Sequence, residues 1–373
     1  AELNYVSKDK YSLEVLTSNL DLGKALPVGE KFSFDGKLTT NLNIIQSPEL
    51  KKASIDLKVK NLSINATPMG DLALGVSGNL QFNSYQLTTS LVRDEMSILL
   101  GKGTIFIPNN KPNLNLDLSL NEFDVSFLSS LGKDKITNST GLLTGKLNLW
   151  GLTTDLKLAG EALLDNSGMT IPSINTRYAF EQGTKLIFKD RRIQFSNALL
   201  KETSSQTTAQ LNGELGHINF NAWEMDINIL TDRLLVYDRP DDPNALFYGQ
   251  GYLAGQANFT GPTKSLTLEV IGSSSEGTTL VIPWKENKGL TDTSFIDFLY
   301  KGEKENELVT TDITSFDEAF RGFEMIFELD INRNAEVEIV VDQSSGSTLS
   351  GRGSGNILIE TNIDGKFNIW GDF

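Results

Sequence analysis

Residues 247–283 read FYGQGYLAGQANFTGPTKSLTLEVIGSSSEGTTLVIP. The stretch contains three short alternations of apolar and polar residues, and glycine or proline closes each of them. Successive side chains of a β-strand point to opposite faces, so Leu266, Leu268 and Val270 lie on one face. Turn residues about ten positions apart are typical of antiparallel strands that follow one another in sequence. The stretch therefore predicts an antiparallel meander.

The same pattern occurs earlier in the chain. The segment Gly145–Gly151 matches Gly255–Gly261 at an offset of 110 residues, and Met169–Pro172 matches Leu280–Pro283 at an offset of 111. Internal repeats are typical of architectures in which each unit covers the apolar face of its neighbour. We therefore expect a repetitive β structure over most of the chain.

Composition excludes several classes of site. The 373 residues include no cysteine and one histidine, His217, so disulfides, thiolate sites and an imidazole-rich metal site are excluded. The net charge of −15 argues against nucleic acid or an anionic membrane surface as the main partner. No apolar run approaches the ~20 residues that span a bilayer. Strand-like patterns at both ends lead us to expect a fragment of a longer chain.

One apolar face and one polar face alternate along the whole sequence, without the helices that parallel crossovers need. A sheet of this length twists and curls. We expect an all-β fold in which a long, curled antiparallel sheet forms an open groove, hydrophobic inside and polar outside. One strand per ~11 residues at ~4.8 Å gives a length on the order of 150 Å. The predicted groove-lining residues are Ile55, Leu57, Val59, Leu114, Leu116, Leu118, Leu120, Leu147, Leu149, Leu156, Leu158, Met225, Ile227, Ile229, Leu266, Leu268, Val270, Phe323, Met325, Phe327 and Leu329.

The pattern divides the chain into four predicted segments. Three carry strands and one breaks the alternation with mixed charge and few β-branched residues. The segments are a β-groove segment at 1–140 with short helical turns near 18–26 and 121–131, a repeat-bearing β-groove segment at 141–284, a polar insertion with short helices at 285–322, and a terminal β segment at 323–373.

Two glycine motifs come close to a dinucleotide-binding pattern. Gly249–Ala254 fits the spacing and Gly351–Gly355 nearly does, but that chemistry needs a helix N-terminus directed at the pyrophosphate. Strand alternation follows both motifs, so we interpret these residues as turn glycines. His217 has no serine or cysteine partner that the sequence reveals, and a hydrogen-bonded structural histidine is the favoured interpretation.

The remaining polar and aromatic clusters also favour structural roles. Asp238, Asp241 and Asp242 lie between prolines, and their spacing is that of a solvated turn rather than a calcium loop. The aromatic residues 247, 248 and 252 form either a binding platform or, as we favour, part of the groove wall or rim. No carboxylate pair can be given a catalytic geometry. We therefore predict no enzyme activity, no cofactor and no metal site.

An ordered series of short motifs resembles one known family. The series comprises Leu234–Tyr237, Phe247–Tyr252, Gly255, Gly261–Pro262 and Gly277–Pro283, together with Ile174–Tyr178, Leu211–His217, Gly353–Ile359 and Gly365–Gly371. Across residues 141–373 it resembles the C-terminal half of TamB proteins in their Bacteroidetes form, and before residue 141 only the pattern agrees. TamB proteins are AsmA-like bridges between the two membranes of Gram-negative bacteria.

The resemblance implies a curled β-groove in the periplasm. It implies an N-terminal inner-membrane helix and a final C-terminal segment, both missing here, and a TamA-like outer-membrane barrel of the Bam-insertase type as partner. The implied activity is phospholipid transport to the outer membrane, with a role in assembling outer-membrane proteins.

Three functions remain open at this point. A lipid conduit requires a continuous apolar interior, and a scaffold for β-barrel assembly requires a long unpaired sheet edge. A third possibility, an acidic adhesin or glycan-binding β-solenoid, requires a polar or aromatic cleft.

Overall fold

The computed structural model describes residues 2–7, 10–25, 32–47, 51–79, 83–108, 111–220, 222–241, 247–283, 323–342, 346–362 and 367–372. These residues form 23 strands of one sheet, and the predicted all-β class is confirmed. The first ten strands are β1 (Glu2–Ser7), β2 (Lys10–Asp21), β3 (Phe34–Gln46), β4 (Lys51–Ile64), β5 (Thr67–Asn79), β6 (Ser84–Arg93), β7 (Met96–Phe106), β8 (Asn113–Asp124), β9 (Thr137–Leu152) and β10 (Asp155–Ile171). The others are β11 (Thr176–Phe180), β12 (Thr184–Asp190), β13 (Arg192–Glu202), β14 (Thr208–Ile218), β15 (Ala222–Arg239), β16 (Tyr248–Pro262), β17 (Leu266–Ser274), β18 (Thr279–Pro283), β19 (Phe323–Ile331), β20 (Glu336–Asp342), β21 (Ser347–Arg352), β22 (Gly355–Thr361) and β23 (Phe367–Gly371).

The strands pair in chain order. From β1 to β10 each strand is antiparallel to the next. β11 and β12 then lie end to end between β10 and β13, and β17 and β18 lie end to end beside β16. β19–β20 and β21–β22 follow in the same arrangement, with β23 beside β22. Because four strand positions are shared in this way, the described sheet spans about 90 Å at ~4.8 Å per step, not the predicted 150 Å.

Two pairings depart from the antiparallel prediction. β17 is parallel to β19, and β18 is parallel to β20. Parallel neighbours need a long crossover between them, and residues 284–322 connect β18 to β19. The predicted insertion and its two short helices lie outside the described residues. The four-segment division stays a prediction.

A helical turn begins within each of the two stretches predicted to hold one, near 18–26 and 121–131, but later than the start of the stretch. The stretch 18–21 belongs to β2, because Leu20 pairs with Leu38 and Asp21 with Lys37, and helix α1 covers only Leu22–Ala25. The second turn begins after β8 ends, as a 3-10 helix at Ser126–Lys135. In both places hydrogen bonding to the neighbouring strand extends the strand into residues with weak β preference.

Asparagines in the left-handed conformation bend the long strands at bulges. Asn19, Asn61, Asn166 and Asn197 are examples, each with φ between +48° and +55° and each at a shift in register. The displaced backbone N–H is paired across the sheet: that of Asn61 donates to Asp71 Oδ1 at 2.8 Å, and that of Asn197 to Asn212 Oδ1 at 2.7 Å. Bulges increase local twist, and asparagine tolerates this conformation better than most residues. They help the sheet to curl.

A candidate hydrophobic conduit on the inner face

One row of opposed residues crosses almost the whole sheet. Residues directly opposite each other in paired strands share a face. The row runs through Leu38, Val59, Leu72, Leu91, Leu99, Leu120, Gly145, Ala162, Leu186, Phe195, Gly213, Ile227, Phe259, Leu268, Met325 and Thr361. This row contains no charged residue. We call the side of the sheet that carries it the inner face.

The inner face is covered by the curl of the sheet itself. Ala162, Ile227 and Met325 are exposed by only 2%, 5% and 4%, although the described residues include no second layer of strands. A flat single sheet would leave such side chains open to solvent, so their burial requires the sheet to fold over its own apolar face. The structure is therefore a groove with a hydrophobic interior.

Glycines allow the strands to approach closely inside the groove. A Cβ at Gly213, where φ is +125°, would overlap the carbonyl oxygen of Asp226 on the next strand. At Gly145 it would lie 2.6 Å from Ala162 Cα. Because any side chain there would force the strands apart, the curl of the sheet depends on glycine at these positions.

The predicted lining residues lie on this inner face. Eight of them are buried: Val59, Leu116, Leu120, Leu147, Ile227, Leu266, Val270 and Met325. Leu268, between Leu266 and Val270 in β17, is half-buried. Ile55, Leu57, Leu114, Leu118, Leu149, Leu156, Leu158, Met225, Ile229, Phe327 and Leu329 are half-buried. The backbone of Phe323 pairs with Leu266. The side that these residues occupy is set by register, and their contact with lipid stays a prediction.

Several inner-face residues were missed from the sequence. Leu87 and Leu91 flank Thr89, so the apolar alternation in β6 is interrupted. Leu186 and Phe188 enclose Ile187, and a continuous apolar run does not reveal which residues face inward. The weak signal in both cases was an apolar residue at every second position.

The groove is filled at one rim and open at another. Leu22 of α1 is buried with Val59 and Met69, and Phe127 of the 3-10 helix packs against the same cluster. In contrast, Ile282 of β18 and Leu349 of β21 are 40% and 64% exposed, and both pair with Ile339 of β20. Among the described residues, the apolar interior of the groove is thus most exposed to solvent in the C-terminal part of the chain.

A buried polar cluster lies on the inner face near the β13–β14 turn. Glu202 is 1% exposed, and its carboxylate accepts hydrogen bonds from the backbone and hydroxyl groups of Ser204 and Ser205. Burial raises the pKa of this carboxyl, but these hydrogen bonds outweigh it and hold the pKa below its usual value. The charge is therefore satisfied within the turn.

Tyr178 lies beside Glu202 and ties β11 to β15. Its hydroxyl donates to the carbonyl of Leu235 at 2.9 Å, and Asp238 N donates to Ile174 O at 3.0 Å. Burial, reinforced by the Glu202 charge, raises the pKa of Tyr178 to about 12. These contacts join two strands across the end of the β13–β14 hairpin and close the groove locally.

His217 and Asp238, which the sequence presents as possible functional residues, are held by contacts within the fold. His217 accepts a hydrogen bond from Phe220 N at Nδ1 and stacks on the Phe220 ring at 4.1 Å. Burial, with the nearby Arg191 guanidinium, lowers the pKa of His217, so the ring is neutral. Asp238 accepts a hydrogen bond from Gln250 at 3.0 Å, and among the described residues no three potential ligands converge on a metal position. Asp242 lies outside the described residues.

The glycine motif in β16 is part of a strand. Gly249 and Gly251 lie within β16, so no helix follows them and they are not the turn glycines that we predicted. In the second motif, Gly351 lies in β21 and Gly355 begins β22. Of the aromatic residues beside the first motif, Tyr252 is buried beneath Arg233 at 4.1 Å, and Phe247 packs against Tyr237.

A comparison with protein families identifies the second half of the chain. Residues 196–373 match the family model of the TamB C-terminal domain. This second part of the chain belongs to the TamB family. The resemblance to TamB found in the sequence is thereby confirmed for residues 196–373, and it gives the protein a role in bridging or assembling the cell envelope. No curated protein and no solved structure matches the chain. In the part of the chain that the structure describes, no helix has the length and apolar character needed to cross a bilayer.

Proposed function

We propose that this TamB protein carries phospholipids between the inner and outer membranes along the inner face of its groove. The observation that carries the proposal is the uncharged row from Leu38 to Thr361, which crosses sixteen successive strand positions by register. Burying one methylene contributes about 0.8 kcal/mol, so an uninterrupted apolar row keeps the free energy of an acyl chain nearly level along the path. In this proposal the protein acts in the periplasm with a TamA-type barrel as partner, and no catalytic step is involved.

The outer face of the sheet is polar, so the proposed path of the acyl chains is confined to the inner face. On the outer face, Asn148 donates a hydrogen bond to Asp117, and Lys185 forms an ion pair with Glu161. Acyl chains therefore have one favourable face, and the charged headgroup stays at the open side of the groove in water.

Scaffolding of outer-membrane proteins is the second candidate, and the sheet edges favour it. In the described residues β23 pairs only with β22 and β1 only with β2. An edge strand presents unpaired backbone groups that can accept another strand.

Charge substitutions on the two faces distinguish the candidates. Leu116→Arg and Met325→Arg place a charge at inner positions that are 6% and 4% exposed, and their neighbours Asp117→Arg and Glu324→Arg place the same charge on the outer face. We expect the inner pair to reduce photo-crosslinking of phospholipid to a probe at Leu118 by at least tenfold and to impair the outer-membrane barrier. We expect the outer pair to change the crosslinking yield and the outer-membrane barrier by less than twofold each.

Folding is checked first by circular dichroism and protease resistance, because a buried charge also destabilises the sheet. Leu149→Lys, at a half-buried inner position away from the probe, serves as a milder inner variant if the others fail to fold. Equal effects of folded inner and outer variants would contradict the conduit and favour the scaffold.

A further inference from the structure

The outer face carries a trough that the conduit does not use. It is an open cavity of about 870 Å³ that crosses β5 to β10, so its length is about 24 Å at ~4.8 Å per strand. Small residues, including Ala73, Gly75 and Ala159, form part of its floor. The trough lies before residue 196 and therefore outside the part that matches the TamB domain.

A second cavity continues the trough toward an aromatic ring. This cavity of about 270 Å³ is lined by Asn115, Asn148 and Trp150, and Asn148 also lines the first cavity. Lys157 Nζ lies 4.6 Å from the centroid of the Trp150 ring. The indole N–H makes no hydrogen bond to another residue that the structure describes, so it remains available to a ligand.

The polar groups of the trough are oriented before any ligand arrives. Asn148 Nδ2 donates to both Asn115 Oδ1 and Asp117 Oδ1 at 2.8 Å, which leaves the Asn148 carbonyl oxygen and the second Asp117 oxygen as acceptors. The hydroxyls of Thr88 and Ser119 line the same cavity. Hydroxyl, amide and carboxylate groups together can both donate to and accept from a hydroxylated ligand.

The trough carries charges of both signs. Lys102 stands directly opposite Asp117, and Lys146 lines the same cavity. An anion would meet Asp117 and a cation the two lysines, whereas a neutral ligand with many hydroxyls can pair with both. A peptide is disfavoured because sheets recognise extended peptides through free edge groups, and the backbone of β6 to β9 is already paired on both sides.

We propose that this trough binds a linear neutral oligosaccharide, with one sugar ring against Trp150 and its hydroxyls paired with Asn148, Asp117 and the flanking lysines. Aromatic rings accept the C–H face of a sugar, and the amides and carboxylate provide orientation. Leu118 and Leu147 also border the cavity, but its polar side chains lie on the opposite face from the conduit, so both functions operate in one protein.

The test uses two hexasaccharides, chitohexaose and cellohexaose, titrated into the whole chain by calorimetry and by tryptophan fluorescence. At least one should bind saturably, and Trp150→Ala and Asn148→Ala should each weaken it at least tenfold. Trp370→Ala is the matched control, because Trp370 is a half-exposed tryptophan elsewhere in the chain. Far-UV circular dichroism and melting temperature verify that each variant folds.

Three results would overturn the proposal. They are the absence of saturable binding for both sugars, an equal loss in Trp370→Ala, and saturable binding of an extended polar heptapeptide when neither sugar binds. The lipid crosslinking described above should be unchanged in Trp150→Ala, so failure of this proposal and failure of the conduit are separable.

Discussion

The hairpins β9–β10 and β16–β17 have the same register but continue differently. Gly145 pairs with Ala162 in the first hairpin and Gly255 with Gly272 in the second, so both members of the pair are shifted by 110 residues. The next strand, β12, is antiparallel to β10, whereas β19 is parallel to β17. Glycine spacing and alternation are thus enough to specify a hairpin, and the connecting chain determines the direction of the next strand.

The two copies diverge at a single point. β10 continues past the bulge at Asn166 to Ile171 as one strand. At the corresponding place the chain turns at Glu276 and Gly277, where φ of Gly277 is +93°, and β17 and β18 become separate strands. The sequence offset rises from 110 to 111 across this point, so one additional residue accompanies the break.

The largest effect is expected from shortening residues 284–322. This connection returns from Pro283 to Phe323, which pairs with Leu266 at the far end of β17, a distance of about 55 Å along the strands. It therefore needs about 16 extended residues. Leaving about eight residues should abolish the parallel pairing and remove hydrogen-exchange protection throughout β19–β23.

A deletion that leaves about 25 residues is the matched control. It should preserve protection, because long connections tolerate shortening at little cost in free energy. Loss of protection in this longer variant would show that the connection contributes contacts of its own. Retained parallel pairing in the short variant would contradict the topology.

Glycine substitutions test whether the shared register depends on backbone approach. A Cβ at Gly255, where φ is +146°, would lie 2.6 Å from Gly272 Cα, and at Gly145 it would lie 2.6 Å from Ala162 Cα. We expect Gly145→Ala to lower the free energy of unfolding by about 2 kcal/mol through overpacking, and Gly255→Ala by about 3 kcal/mol because backbone strain is added.

Urea unfolding measures both changes. Gly351→Ala is the control, since nothing lies within 4 Å of its added Cβ and its φ is not in the left-handed region. Equal, near-zero changes at all three glycines would show that the curl does not depend on them.

The chain that follows the first copy of the repeat, β9–β10, is tested through Tyr178. The hydrogen bond from the Tyr178 hydroxyl to the Leu235 carbonyl joins β11 to β15. Tyr178→Phe leaves a buried carbonyl unpaired and should lower the free energy of unfolding by about 1–2 kcal/mol at pH 8.

Because the folded pKa of Tyr178 is about 12, above the usual value near 10, neutral Tyr178 stabilises the native state fully below pH 10 and progressively less between pH 10 and 12. The difference in stability between wild type and variant should therefore narrow as the pH rises through that range. A constant difference would argue against a buried, neutral hydroxyl.

Sequence alone predicted the parts that local pattern determines. The alternation Leu114, Leu116, Leu118 and Leu120 specified a face, and the sheet preserves it over these residues, because the bulge in β8 comes only after Leu120. The parallel pairing of β17 and β19 could not be predicted, because alternation has no direction. Strand extension at Leu20 also escaped prediction, since it depends on Leu38 across the sheet.

The candidate conduit followed from the same alternation, but the outer trough did not. Lys102, Asp117 and Asn148 read as ordinary solvated positions in sequence. They meet only because the register of β7, β8 and β9 places them opposite one another. Sites assembled from single residues on several strands leave no local motif.

The smallest effect is expected at the bulge that keeps β10 continuous. Asn166 has φ +48°, and its N–H donates to Gln182 Oε1 at 3.2 Å. Asn166→Gly should change the free energy of unfolding by less than about 0.5 kcal/mol, because glycine adopts this conformation without strain. Asn166→Val should cost about 1–2 kcal/mol, because a Cβ-branched residue is disfavoured there. Urea unfolding measures both, and Asn356→Val, at an exposed position within β22, controls for the added branched side chain. If valine is tolerated at 166 as well as glycine, the bulge is not held in the left-handed conformation, and the additional residue at Glu276–Gly277 alone has to account for the difference between the two copies.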